Sequence, residues 1–444
     1  MRRPSVQSVQ FLDVLNRMIP SNDFKQLCNE YAPRLRSTPL MRAEQIVSGF
    51  IYHQLQEGGT LATNSGRLHG IQMSDSAYAQ RRQLLPVELF EQILSSALSP
   101  LADPNKHPEC FFHNYRLVGV DGTQFSVVNT PAILAQLPKA ASRRFQAAFA
   151  KLRLVSLVEL GTHAPLAACA APAKESEQEL ARRVWEQVPE HSLVIGDRLF
   201  GTARTLWEAT QAWQERDIAV LARVRENIQT QVLERLADGS ALIEVPVREG
   251  KRVIASLTLR EVQAHGVGIN GKTFTLRLWT TLLDPKRYPA DDLARNYAER
   301  WEQELYYREL KLDVRNAPAL ASQTPETALQ EIAALVLASA VLARLRVEAG
   351  DQLRVPPQRM SFYKIKLATQ PLWDTCEVMG ETLSGAQRQK MWEYYVELVR
   401  RSAVLPERRA RSCPRVLRQP VSSWPRKTDQ PSYTGTVQIK LVPV

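Results

Sequence analysis

The order of apolar segments between Tyr115 and Val224 constrains the fold of this chain more than any other feature of its sequence. The segment YRLVGVDGTQFSVVN at 115–129 predicts a strand, a glycine-containing turn and a second strand, and LRLVSLVEL at 152–160 predicts a third strand. Helix-like and strand-like segments then alternate: a helix over 175–188, a strand that ends at Asp197, a helix over 201–213 and a strand over 218–224. Three strands followed by this alternation predict an α/β domain built on a mixed sheet.

The rest of the 444-residue chain divides into regions by hydrophobic period and composition. Apolar residues at helical spacing predict a helical N-terminal domain over 1–105. Strand-like alternation, interrupted by three turn-forming residue pairs that each end in glycine, predicts a β-rich insertion over 226–285. The other predicted regions are two parts of a core, 106–225 and 286–345, a helical C-terminal region, 346–404, and a basic, proline-rich tail, 405–444. The tail is either an arm that contacts DNA or a solvated end, and the sequence leaves both open.

The charge balance indicates the class of partner. A formal net charge of +11 points to a polyanion, with nucleic acid favoured over an anionic membrane surface. The longest nearly uninterrupted apolar run, Ile332–Ala343, is shorter than the roughly twenty residues of a bilayer span, so we expect a buried helix and no membrane partner. The start of the chain shows no signal-peptide pattern, and its five cysteines are scattered without a CxxC pair, so we expect a protein of the reducing cytoplasm.

Two weak motifs are set aside. The segment GVGINGKT at 266–273 fits the phosphate-binding pattern GxxxxGK[ST], but alternating residues after it predict a strand where that pattern needs a helix. An Asn-Gly hairpin explains the segment better, so no nucleotide partner is expected. Cys110 and His113 have a spacing that suits a metal, but two ligands without a second pair are better explained as packing residues.

The strongest chemical pattern lies on a predicted helix that runs to about Leu312. Its residues Tyr297, Arg300, Glu304 and Lys311 fall within a stripe of about 60° at about 100° per residue. One helix face therefore presents a carboxylate among a tyrosine, an arginine and a lysine. Three apolar residues of the same helix are assigned to packing against the sheet: Trp301, Leu305 and Leu312.

Two aspartates complete the pattern. Asp121 and Asp197 each follow an apolar run, at the carboxyl end of a predicted strand, which is the edge where ligands collect in open α/β sheets. Together with Glu304 they would repel one another unless a cation neutralised them. Oxygen ligands favour Mg²⁺, or Mn²⁺ in its place, and two such ions about 3.5 to 4 Å apart support phosphodiester chemistry. Arg300 and Lys311 would hold the phosphate, so we expect phosphoryl transfer on a polynucleotide.

The same residues carry a family resemblance. Tyr297, Arg300, Glu304 and Lys311 reproduce the YREK signature of the DDE transposases of bacterial insertion elements, the insertion sequence four family. The chain resembles that family over roughly residues 40–345, from YRLVGVDGTQF through VIGDRLFG to TTLLDPKRYPADDLARNYAERWEQELYYRELK.

The resemblance implies a ribonuclease H-like mixed sheet with helices on both faces. It assigns Asp121, Asp197 and Glu304 as a catalytic triad that binds two Mg²⁺ ions. It also assigns the other three signature residues to the terminal phosphate of the element: Tyr297, Arg300 and Lys311.

The resemblance further implies excision through a DNA hairpin, followed by joining to target DNA, by a homodimer on paired double-stranded element ends. Trp279 lies where some relatives stack a flipped base, although a half-buried strand aromatic is an equal explanation. The N-terminal domain would bind the element ends, and Gln80–Gln83 is a candidate contact surface.

Other functions remain open on the sequence alone. A DNA-binding protein that descends from a transposase and has lost catalysis would keep the basic faces and could keep the carboxylates. A hydrolytic nuclease that stops after nicking is a third possibility. Arg300 and Glu304 could also form no more than a helical ion pair.

Overall fold

A mixed sheet of ten strands is the centre of the computed structural model. The structure describes residues 9–33, 40–140, 146–213, 215–267, 273–379 and 382–406. The strands are β1 (Phe111–Phe112), β2 (Tyr115–Val127), β3 (Ala150–Glu159), β4 (Ala164–Pro172), β5 (Ser192–Gly196), β6 (Ile218–Arg223), β7 (Gln231–Arg235), β8 (Ala241–Glu249), β9 (Arg252–Val267) and β10 (Thr273–Thr280).

The first half of the sheet has the predicted ribonuclease H-like topology. The strand order is β4-β3-β2-β5-β6, with β2 antiparallel to β3, β3 antiparallel to β4, and β2, β5 and β6 parallel to one another. The short β1 pairs with the start of β2. The predicted turn at Gly122 is wrong: β2 is a single strand, and its antiparallel ladder with β3 runs from Val118 to Val127 without a break.

The predicted β-rich insertion continues this same sheet. β10 pairs antiparallel with β6, and β9, β8 and β7 follow in order to the far edge. The residues after GVGINGKT form β10, which is a strand as the sequence indicated and supplies no helix N-terminus for a phosphate. The Asn-Gly turn predicted within that segment lies outside the described residues.

The described helices surround the sheet. They are α1 (Phe11–Met18), α2 (Ser21–Tyr31), α3 (Ala43–His53), α4 (Leu61–His69), α5 (Asp75–Gln83), α6 (Val87–Ala97), α7 (Pro131–Gln136), α8 (Glu177–Val184), α9 (Ala203–Ala212), α10 (Ala290–Asn296), α11 (Trp301–Arg308), α12 (Pro325–Leu353), α13 (Phe362–Met379) and α14 (Gly385–Ser402). Polar caps begin several of them, as where the Ser176 and Thr202 side chains accept backbone N–H groups of α8 and α9.

Alternate residues of the strands face two different layers of helices. On one face, which we call the back face, Val118, Val120 and Val194 pack with α8 and α9. On the other, the front face, Leu117 and Ile195 pack with α10 and the residues after it. The prediction of helices on both faces is thus confirmed.

The helix α12 joins the sheet to both ends of the described chain. Its Thr324 cap and Pro325 begin 29 residues of helix that include the predicted buried run. It is long and apolar enough to cross a membrane, but 89% of its most apolar window is buried inside the protein, as in the core helix of a globular fold. One hydrophobic core extends around it from Val9 to Ala403, so the N-terminal and C-terminal helices pack together.

Candidate active site

Asp121 and Asp197 lie side by side on neighbouring parallel strands. Val120 of β2 is paired with Gly196, the last residue of β5, so the two aspartates are the next residues in register. Asp197 follows the end of its strand as predicted, whereas Asp121 lies within β2, where the parallel ladder ends and the strand continues along β3. Asp121 is an even number of residues from Leu117, and Asp197 is an even number of residues from Ile195. Because alternate residues of a strand share a face, both aspartates belong to the front face.

Backbone donors fix both carboxylates. Oδ1 of Asp121 accepts the N–H of Gly122 at 2.8 Å, and Oδ1 of Asp197 accepts the N–H of Leu199 at 2.7 Å. The carbonyl of Asp197 also accepts the N–H groups of Phe200 and Gly201, which close a tight turn. The turn needs glycine at 201, because a Cβ there would lie 1.9 Å from the carbonyl oxygen of Arg223.

A helical segment over 290–314, which we call the site helix, crosses the front face above the aspartates. It changes its winding along its length: α10 leads into a tighter 3₁₀ turn at Tyr297–Arg300, then α11, then a wider π segment at Glu309–Val314. The sequence predicted the helix but not these changes, which alter the angular spacing assumed for the signature residues. Wider π turns often occur at functional sites.

Two residues that the sequence analysis missed attach the site helix to the strands. The Tyr307 hydroxyl donates to the Asp121 carbonyl at 2.5 Å and lies 2.9 Å from Oγ of Ser156. Gln303 donates to the same Ser156 oxygen at 3.2 Å, and it fits because Gly119 lacks a Cβ beneath it. Their spacing of four residues on one helix face was the available signal, but a strand partner cannot be read from that spacing.

Glu304 is held by its neighbour on the site helix. Nη2 of Arg300 donates to Oε1 of Glu304 at 2.8 Å, and the guanidinium also attracts the charge of Asp121. The Glu304 side chain keeps 38% of its surface exposed. Among the described residues no three carboxylate, histidine or cysteine side chains are grouped closely enough to hold an ion. The aspartates therefore form a pair, and Glu304 is turned to Arg300.

The charges around Asp121 disfavour its ionised form. Burial, together with the negative charges of Asp197 and Glu177, raises the pKa of Asp121 to about 7. Glu177 begins α8 and contacts Gly122 from the back face. Because an added positive charge would relieve this repulsion, and because the donors are carboxylate oxygens, the aspartate pair fits a hard divalent cation.

The remaining signature residues lie at the same edge of the sheet. The Tyr297 side chain is buried, and burial raises its pKa, while its neighbours Arg300 and Arg223 counteract this and Asp197 adds to it. Lys311 donates to Oγ1 of Thr123, two residues beyond Asp121 on the same face of β2. Burial, with the charges of other cations nearby, lowers the pKa of Lys311 to about 8.

Similarity to known proteins identifies the family of the chain. The sequence profile of the family described as "Transposase DDE domain" matches residues 113–341, which is more than half of the chain. The chain belongs to the DDE transposase family. It is 25% identical over 360 residues to the transposase InsG for insertion sequence element IS4 of Escherichia coli K12, covering 80% of this chain and 78% of InsG. The chain is therefore a DNA transposase of the IS4 type.

Two further proteins are similar to this transposase. The putative transposase InsZ of Escherichia coli K12 is 32% identical over 133 residues, which cover 29% of this chain and 43% of InsZ. The piggyBac transposase in a synaptic complex with hairpin DNA aligns over 92% of this chain and 86% of its own, with a TM-score of 0.45 and 9% sequence identity.

Trp279 of the transposase does not present a stacking surface. Its side chain is fully buried in the core of the back face, and its Nε1 donates to Oε2 of Glu261 at 2.9 Å. The aspartates lie on the front face, so a flipped base at the active site would not reach the ring. The placement corresponds to the alternative explanation, a packing aromatic, and Trp279 is more deeply buried than that explanation assumed.

Other residues of the transposase also differ from their predicted settings. Trp301 and Leu312 were assigned to packing but are 45% and 57% exposed. Arg82, in the candidate DNA contact Gln80–Gln83, is buried: it donates to Oγ of Ser322 and lies 4.4 Å from the centre of the Phe50 ring. Arg82 therefore packs α5 inside the protein and cannot contact DNA in this arrangement.

The raised pKa of Asp121 predicts a pH dependence of stability in the metal-free transposase. The unfolded carboxyl ionises near pH 4 and the folded one near 7, so the stability present below pH 4 is lost between about pH 4 and 7, and the loss is complete above pH 7. At about 1.4 kcal/mol for each unit of pKa, we expect Asp121→Asn to be more stable than wild type by roughly 4 kcal/mol at pH 8 in EDTA, with a smaller difference at pH 5. Urea unfolding at both pH values measures this, and an equal difference at pH 5 and 8 would contradict the assigned pKa.

Proposed function

We propose that this transposase excises and inserts an insertion element by phosphodiester hydrolysis and strand transfer, with two Mg²⁺ ions held by Asp121, Asp197 and Glu304. Mn²⁺ would substitute for Mg²⁺. The observation that carries the proposal is the register of β2 and β5, which sets Asp121 beside Asp197 beneath the helix that bears Glu304. The raised pKa of Asp121 supports it, because such a pair favours a bound cation.

Glu304 would complete the site by exchanging one partner for another. Its present partner, Arg300, sits on the same helix and is attracted to both Glu304 and Asp121. When DNA enters, the guanidinium would turn to a backbone phosphate, for which its planar donors are suited, and Glu304 would be freed for the cation site. Bound ions of this class activate an attacking oxygen and stabilise the leaving oxygen in phosphodiester chemistry.

Tyr297 and Lys311 would position the terminal phosphate of the element on either side of the carboxylates. Tyr297 is within reach of the charges of Asp197 and Arg300, and Lys311 bonds to Thr123 beyond Asp121. A lysine with a pKa near 8 still carries its charge on most molecules at neutral pH, and an entering phosphate raises that fraction.

The family resemblance supplies the order of the reaction that we propose. Hydrolysis of one strand would free a 3′ hydroxyl, which would attack the phosphodiester of the opposite strand, close a hairpin on the element end and release the flanking DNA. Hydrolysis would then reopen the hairpin, and the regenerated 3′ hydroxyl would attack a target phosphodiester and displace the 3′ oxygen of the target strand. Paired ends suggest a homodimer in the DNA complex.

A strand-cleavage assay tests this proposal. Duplexes cloned from the borders of the element, labelled at one 5′ end, are incubated with the full-length protein and Mg²⁺ and resolved on denaturing gels. We expect a nicked strand first. A hairpin should follow, which migrates at about twice the length of one strand of the element end, and joined products should appear last. Nicks that never convert to hairpins or joined products would instead identify a hydrolytic nuclease.

One observation favours a second candidate, a transposase-derived DNA-binding protein without catalysis. Glu304 is bonded to Arg300, and no closed group of three metal ligands occurs in the described part of the chain. The same assay separates the two functions: end binding without any strand break in Mg²⁺ or Mn²⁺, by protein shown to be folded, would favour this candidate.

A further inference from the structure

A row of cations runs along β2 away from the aspartates. Lys311 bonds to Thr123, and the side chains of Lys311 and Arg315 both lie over the ring of Phe125, at 5.4 and 5.3 Å from its centre. Lys151, on the neighbouring strand, is exposed, but it is paired with Ser126 and therefore belongs to the back face. At about 3.4 Å per residue, the row covers roughly 14 Å of strand from Asp121 to Phe125.

These cations lack the partners that buried cations have elsewhere in the protein. Arg260, Arg277 and Arg346 each donate to a carboxylate, for example Arg346 to Glu309 at 3.1 Å. In the described ranges no carboxylate lies within ion-pair distance of Lys311, Arg315 or Lys151.

The acid that attracts Arg315 already has other partners. Glu331 attracts Arg315, but its two oxygens accept the N–H groups of Ala321 and Ser322. Nε of Arg315 is buried and has no hydrogen-bond partner among the described residues.

Half-buried cations that repel one another are costly unless an anion offsets the repulsion. The positive charges of Arg315 and Lys151 both repel the charge of Lys311 and lower its pKa. A contact with one aromatic ring contributes only about 0.5 to 2 kcal/mol and cannot neutralise two charges. The arrangement is therefore suited to a line of negative charges that passes along β2 from the aspartates.

We propose that Lys311 and Arg315 form a binding track for successive backbone phosphates of the DNA strand that leaves the active site. One DNA strand carries a charge for each 3.4 Å or so of helix axis, so roughly 14 Å of track accommodates several phosphates. The track extends beyond the signature residues, because Arg315 is not part of the signature. This inference rests on the proposed function, since it supplies part of the substrate contact of that same site.

Salt dependence of DNA binding tests the track. The full-length variant Arg315→Gln is titrated against a fluorescein-labelled 30-base-pair duplex over a range of KCl concentrations. The substitution is expected to reduce the slope of log affinity against log salt by about 1 and to weaken binding several-fold. Arg315→Lys keeps the charge and is expected to keep the wild-type slope.

Lys286→Gln is the matched control. Lys286 is exposed and lies two residues before Tyr288, whose ring packs against Tyr115 at the opposite edge of the sheet. The slope of log affinity against log salt for Lys286→Gln should equal that of wild type. A wild-type slope in folded Arg315→Gln would overturn the track, and so would a reduced slope in Arg315→Lys, which keeps the charge. Failure of the wild-type protein to bind the duplex would overturn the proposed function as well.

Discussion

Asp121→Asn is expected to lower the rate of strand cleavage by about a thousandfold or more, while leaving the protein folded and able to bind DNA ends. The substitution keeps the size of the side chain and removes the charge that would hold a cation. A bound divalent ion contributes several kcal/mol to phosphodiester chemistry, and each 1.4 kcal/mol or so is a factor of ten in rate. No loss of stability is expected, because the charge of Asp121 is disfavoured by burial and by Asp197.

Single-turnover cleavage of a labelled end duplex, with end affinity measured on the same sample, separates catalysis from binding. Asp217→Asn is the control: Asp217 is an aspartate at the opposite edge of the sheet, where it accepts from Tyr115 at 2.7 Å. We expect the control to cleave near the wild-type rate. Cleavage by Asp121→Asn at the wild-type rate would show that Asp121 is not a metal ligand.

His163→Asn is expected to lower the free energy of unfolding by about 3 to 5 kcal/mol, the cost of leaving buried charges without a partner. His163 is fully enclosed, and its two ring nitrogens bond to Glu302 at 2.8 Å and Glu309 at 2.7 Å. Glu309 also accepts from Arg346 of α12. The cluster ties the site helix on both sides of Glu304 to the β3–β4 turn and to α12. Asparagine suits the backbone at 163, where φ is 56°.

The effect of His163 should depend on pH. Burial alone would lower the pKa of His163, but the charge of Glu309 and bonds to both carboxylates outweigh burial and raise it. A raised histidine pKa gives stability that is fully present below about pH 6.5 and is lost as the pH rises through the folded pKa. The difference between wild type and His163→Asn should therefore be larger at pH 6 than at pH 9.

Urea unfolding at pH 6 and pH 9 measures this difference, and the chain offers a matched control. His191 has a similar backbone, with φ of 53°, and bonds to Asp217 at 2.8 Å, but its side chain is 67% exposed. We expect His191→Asn to cost less than about 1 kcal/mol, as for other exposed pairs. Equal, small losses in both variants would show that the buried cluster does not hold the site helix.

The elements that carry the proposed site could be predicted from the sequence better than their arrangement. Asp197 could be placed because an apolar run ends in an aspartate at a sheet edge, and the helix that carries Glu304 could be placed from its hydrophobic period. The continuation of β2 through Gly122 could not be predicted, because the sequence Asp-Gly commonly forms a turn. What keeps this segment extended is its antiparallel pairing with β3, and that pairing depends on the tertiary fold. The change of winding along the site helix also depends on packing against the sheet.

Trp279 shows why the roles of single residues were harder to predict. The face on which it lies depends on the register of β10 against β6, where Trp279 is paired with Ala222. That register places it with Val220 on the back face, whereas a shift by one residue would have turned it to the front. Similarly, Arg82 belongs to a basic segment that reads as a DNA contact, and only the fold places Ser322 and Phe50 around it.

Counting bound metal ions tests the central claim most directly. Electron paramagnetic resonance of Mn²⁺, titrated into the protein bound to an end duplex, reports the number of ions held in wild type, Asp121→Asn, Asp197→Asn and Glu304→Gln. We predict two tightly bound ions in wild type and the loss of at least one in every variant. Unchanged ion numbers and affinities in all three variants would contradict the assignment of these carboxylates as the metal site.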